Sequence, residues 1–87
     1  MERELVFTFL GTSQAIQAEQ VLLEAGVAVQ VMPLPAVIIA GCGICLRVPV
    51  QDEKRAVELL RKKRVVLQQT YERSIENGKN VYTIWEG

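Results

Sequence analysis

The run LVFTFLGTSQAIQAEQVLLEAGVAVQV, residues 5–31, reads as strand, helix and strand in turn, and it decides the fold. Leu5 to Leu10 is rich in strand formers, and Leu5, Phe7 and Phe9 give it one strongly apolar face. Gly11-Thr12-Ser13 then offers a break and a helix N-cap. From Ser13 to Ala25, residues Ile16, Ala18, Val21, Leu22 and Ala25 fall at helical spacing, and Gly26 supplies the stop. Val27, Val29 and Val31 alternate as a second strand, ended by Pro33 and Pro35.

Working outward, Ile44 to Val48 reads as a third strand with Ile44, Leu46 and Val48 on one face. A second helix is expected over Gln51 to Lys63, with Ala56, Val57, Leu59 and Leu60 as its buried stripe. Asp52 and Glu53 near its start, and Arg61, Lys62 and Lys63 near its end, match the helix dipole. Val65 to Glu72 reads as a fourth strand. Asn77-Gly78 is a type I′ turn signal leading into Val81 to Trp85. The order β-α-β-β-α-β with a C-terminal β-hairpin extension predicts an α+β fold, a ferredoxin-like sandwich whose two helices cover one face of an antiparallel sheet. The expected division is a ferredoxin-like domain over 1–72 and a hairpin extension over 73–87 that takes part in a dimer interface.

Composition narrows the function. The chain has 87 residues, enough for one domain, and is 49% hydrophobic and 23% charged, as ordinary globular proteins are. Ten basic and ten acidic residues cancel, which argues against a nucleic-acid binder held by long-range charge. Met1-Glu2-Arg3-Glu4-Leu5 lacks the basic lead of a signal peptide. Ala25 to Leu46 carries no charge, but Gln30, Pro33, Pro35, Gly41 and Gly43 interrupt it, so a membrane span is not expected. Two cysteines without a secretory signal point to a reducing cytoplasm. The chain has no histidine, phosphate loop or paired carboxylates beside the glycine-rich turn, and so reads as a carrier or binding protein rather than an enzyme.

Chemistry, if there is any, centres on Gly41-Cys42-Gly43-Ile44-Cys45. In the expected topology the β1–α1 turn with Thr12 and Ser13 and the loop ending at Cys42 lie at the same end of the sheet. The N-terminus of a helix there would favour a thiolate. Flanking glycines strip cover from Cys42 and let a ligand approach the backbone. Cys45 and Arg47 should point to the opposite, uncovered face. Fully extended, residues 42 and 45 stand about 10 Å apart at ~3.3 Å per residue, whereas a disulfide needs its Cα atoms within roughly 7 Å. A redox pair is therefore disfavoured, and Cys45 reads as a secondary thiol, a small residue covered by another subunit. A mononuclear zinc site needs about four ligands, so two cysteines would require a second subunit or carboxylates, and neither a metal nor a cofactor is expected.

These residues carry a resemblance. Phe9, Thr12, Ala15, Ala18-Glu19, Leu22, Ala25-Gly26, Pro33-Leu34-Pro35, Gly41-Cys42-Gly43 and Leu46-Arg47 resemble the Se/S carrier protein-like family of small bacterial domains, over roughly residues 5 to 71. The resemblance implies a single-cysteine carrier on which Cys42 takes up sulfur or selenium as a persulfide or selenopersulfide. Gly41, Gly43, Arg47, Thr12 and Ser13 would contact the cargo. It also implies a donor protein such as a cysteine desulfurase. Typical members carry an Arg after the second proline and serines before the Gly-Cys, where this chain has Ala36, Ile39 and Ala40. Their β1–α1 turn is also more polar, often with a histidine. Backbone amides and Arg47 are left to hold an anion. On this reading Cys42 is exposed, its pKa is lowered, and it is essential.

A second reading has a different basis. Domains with this element order also serve as ACT-like regulatory modules that dimerise through their sheets and bind small effectors, and the uncharged Met32 to Ala40 loop suits such a homo-oligomeric interface. The cysteines would then be structural. Arg61-Lys62-Lys63-Arg64 ends a helix and has no interleaved aromatic, so it reads as a solvated face rather than a nucleic-acid patch. Tyr82, Ile84 and Trp85 read as core or dimer contacts.

Overall fold

A computed structural model describes residues 3–86. Met1, Glu2 and Gly87 lie outside the described residues, and with them the first residues of the N-terminal stretch considered above for a signal peptide. The elements are β1 (Glu4–Thr8), α1 (Thr12–Glu24), β2 (Gln30–Pro33), β3 (Ile44–Pro49), a 3₁₀ turn (Val50–Asp52), α2 (Glu53–Lys62), β4 (Gln69–Glu76) and β5 (Lys79–Ile84). The five strands form one sheet in the order β2-β3-β1-β4-β5, antiparallel at every pairing. This is the expected ferredoxin-like α+β arrangement, with β5 added at the β4 edge. Among the described residues, no helix is long and apolar enough to cross a membrane.

The central strand explains the packing. Leu5, Phe7 and Phe9 enter the main core with Leu46 and Val48 of β3, Ala15, Ala18 and Leu22 of α1, and Ala56 and Leu60 of α2. Burying each large side chain contributes roughly 1.5–3 kcal/mol. Ile16, expected in the stripe of α1, is 46% exposed. The stripe is centred on Ala15, Ala18 and Leu22, and Ile16 is turned about 100° away from Ala15 at 3.6 residues per turn. β4 also starts later than expected. Val65 and Leu67 pack on the core as a connection out of the helix layer, and the ladder begins at Gln69 opposite Thr8. β4 then runs through Glu72 to Glu76, where Asn77 (φ 52°) and Gly78 (φ 77°) make the type I′ turn into β5.

The second face of the sheet is not bare. Val6, Cys45 and Ile38 are buried together there, with Met32, Leu34, Tyr71 and Tyr82 against them. The β2–β3 loop folds back over the sheet and covers Cys45 from within the chain, where the sequence pointed to a second subunit. Beside this patch Glu4 pairs with Arg47 at 3.2 Å and also with Arg73.

Both helices end in Schellman turns, which close the last backbone carbonyls through a left-handed residue. At α1 the residue is Gly26 (φ 80°), and the Val27 N–H donates to the Leu22 carbonyl at 2.9 Å. The same turn at α2 falls on Arg64 (φ 60°), with Val65 N–H donating to Leu60 at 2.9 Å and Arg64 N–H to Arg61 at 3.0 Å. A left-handed backbone costs a residue with a Cβ about 1 kcal/mol that glycine escapes. Arg64→Gly is therefore expected to raise stability by about 1 kcal/mol, and the melting temperature by roughly 4–8 °C, in a thermal unfolding experiment.

Candidate functional site

The loop from Leu34 to Gly43 begins where β2 stops and returns the chain to β3. Pro33 and Pro35 bracket its first residue and stop the strand ladder there, and one backbone bond, Leu34 N–H to the Gly43 carbonyl at 3.0 Å, closes its base. At its far end the loop meets the β1–α1 turn. The contact is backbone on backbone: a Cβ on Gly41 would lie 3.0 Å from the Leu10 carbonyl carbon and closer still to its oxygen. Only glycine permits that approach. Gly43 meets nothing within 4 Å, so its missing side chain leaves open space instead.

Cys42 sits between these two exposed glycines and is itself only 3% exposed, packed into the helix-side core. That corrects the expectation of an exposed thiol. The Gly41–Leu10 approach draws the loop down onto the turn and tucks the side chain under it. The thiol donates to the Thr12 hydroxyl oxygen at 3.4 Å. Thr12 is the first residue of α1, and the N-cap, Gly11, has no side chain with which to satisfy the helix N-terminus. The amides of this first turn are thus left for solvent or for an anion. Ser13 follows Thr12 on the same exposed turn.

Arg47 is not part of this arrangement. It lies on the other face of the sheet, where it pairs with Glu4 and donates to the Gln30 side chain. Alternation along β3 dictates this, because Leu46 and Val48 take the helix face. Cys45 follows the same alternation. It is fully buried in the second cluster, and its thiol faces the Pro33 carbonyl oxygen at 3.8 Å. Burial, and then repulsion from Cys42, push its pKa up to about 11. Cys45 therefore stays a protonated thiol at neutral pH. Both cysteines are free, and each belongs to a different core cluster.

Of the residues singled out in the sequence, Cys42, Thr12 and Gly41 come together, Ser13 and Gly43 flank them, and Arg47 and Cys45 stand apart. Sequence reasoning missed the Leu10 carbonyl, for which the only signal is the glycine it meets. Gly41→Ala is expected to lower stability by about 1–3 kcal/mol, since the obstacle is backbone and cannot swing away. Gly43→Ala, in open space, should stay within about 0.5 kcal/mol of wild type. Chemical denaturation of the two variants checks the contrast.

Comparison with known proteins completes the description. Neither the curated proteins nor the solved structures include a match to this chain. The model of one family, described as "Putative Se/S carrier protein-like", matches residues 4–72, from the first residue of β1 to the fourth of β4. The matched segment contains Cys42, both of its glycines and the helix turn beneath it, and the chain belongs to this Se/S carrier protein-like family.

Proposed function

We propose that the protein carries sulfur or selenium on Cys42. The observation that carries this reading is the seat of the Cys42 thiol: 3.4 Å from the Thr12 hydroxyl, at the uncapped start of α1. When Cys42 ionises, the Thr12 hydroxyl can turn from acceptor to donor, and the positive end of the α1 dipole lies at the same turn. Family membership supports the same cargo, and Cys42 falls inside the matched segment. In the step itself, the Cys42 thiolate attacks the outer sulfur of a persulfide on a donor protein such as a cysteine desulfurase. The bond between the two donor sulfurs breaks, and the donor cysteine leaves as its thiolate. Cys42 then holds the persulfide, with no net oxidation or reduction. The same exchange with a selenopersulfide loads selenium.

Burial of Cys42 makes access part of the mechanism. The thiol is held by an irregular loop rather than a strand, so it reaches solvent by local opening between Leu34 and Gly43 while the sheet stays intact. Gly43 is well suited to such a movement, with open space where a side chain would stand. Cys45 is fixed to a strand paired on both sides, so the same opening would lift Ile38 from it without moving its backbone.

The same burial favours a second reading, an ACT-like regulatory module in which both cysteines only pack. Intact-mass measurement after incubation with a cysteine desulfurase and cysteine separates the two. The carrier gains the mass of one or more sulfur atoms in wild type and in Cys45→Ser, and gains none in Cys42→Ser. A wild-type protein that stays unmodified contradicts the carrier and leaves the packing role.

A further inference from the structure

The α2–β4 connection borders an open cleft of about 330 Å³ that the carrier reading does not use. Val57, Leu60, Val65 and Leu67 line its interior, and Arg61 and Arg64 stand at its exposed rim. Val57 and Leu67 also border a second groove of about 360 Å³, lined further by Glu53, Thr70 and Trp85. Pockets of this size and apolar character, with a few polar groups at one end, are typical of small-molecule sites.

Charge is distributed unequally along this cleft. Arg61 is already committed, since its guanidinium donates to both carboxylate oxygens of Glu58 at 2.7 Å and holds that carboxyl below its usual range. Arg64 has no acidic partner among the described residues. It also occupies the left-handed position of the Schellman turn, where glycine would be more stable. An arginine retained in a strained position at a cavity rim needs a reason beyond the turn. A helix C-terminus ordinarily repels anions. Here the carbonyls of Leu59, Leu60 and Arg61 are taken up by Lys63, Val65 and Arg64 N–H groups, and four cations in a row, residues 61–64, surround the end. At the opposite end Glu53 disfavours negative charge.

We infer that this cleft is a binding site for a small amphipathic carboxylate, with its apolar body along Val57, Leu60 and Leu67 and its single anionic head at Arg64. The assignment is independent of the carrier reading, because it is read by binding and not by sulfur transfer.

The test is a titration of the isotope-labelled full chain with sodium octanoate, followed by amide NMR, beside 1-octanol, which has the same body without the charge. Arg64→Gly and Arg64→Asn remove the guanidinium, and both residues tolerate the left-handed turn, so a thermal melt confirms that the variants stay folded. Octanoate should shift the amides from Val65 to Leu67 saturably. Its affinity should fall about tenfold in both variants, and octanol should bind wild type about tenfold more weakly, as expected for loss of one charge-assisted contact. Absence of a saturable shift, equal affinity in folded Arg64 variants, or equal binding of octanol would overturn the assignment.

Discussion

The cysteine end of this protein depends on one backbone contact, the approach of Gly41 to the Leu10 carbonyl. Leu10 follows the central strand, whose neighbours on both sides fix its position to the register. The β2–β3 loop, in contrast, has few bonds of its own. Where the loop meets the turn, there is no room for a Cβ, so glycine at this position is what lets the loop lie this close to α1. This one constraint buries Cys42, brings its thiol to Thr12, and leaves the space beside Gly43 open.

Two thiols three residues apart thereby acquire opposite characters. Cys45 is on a strand paired from both sides, enclosed by Val6 and Ile38, with a pKa pushed up to about 11. Cys42 is equally hidden, but it belongs to the loop itself and moves with it, whereas Cys45 is only covered by the loop and stays anchored in β3. Under the proposed carrier role, concealment by a part that opens locally would protect the sulfur from oxidation and still let it reach a partner, without unfolding of the sheet.

Much of this was legible in the sequence. Period-two alternation in β1 and β3 placed Leu5, Phe7, Leu46 and Val48 under the helices and put Cys45 and Arg47 on the other face. Asn77-Gly78 located the hairpin, and the glycine after α1 its end. The errors have a common cause. Ile16, the late start of β4, the burial of Cys42 and the cover that Ile38 gives Cys45 all depend on which irregular segment packs where, and no local period encodes that. Arg64 is a different case, because it is exposed as its basic run implied. Its sequence context reads as a solvated basic run, while its left-handed backbone and its place on a cavity rim appear only when the turn is formed.

Opening of the loop without opening of the sheet is the central claim, and native-state amide hydrogen exchange tests it most directly. The amides of Val37 to Gly43 are expected to exchange through openings well below the global unfolding free energy, while those of Cys45 to Val48 exchange only at the global value. A loop whose amides share the protection of β3 would mean that Cys42 is exposed only when the protein unfolds, and would contradict its role as a carrier thiol.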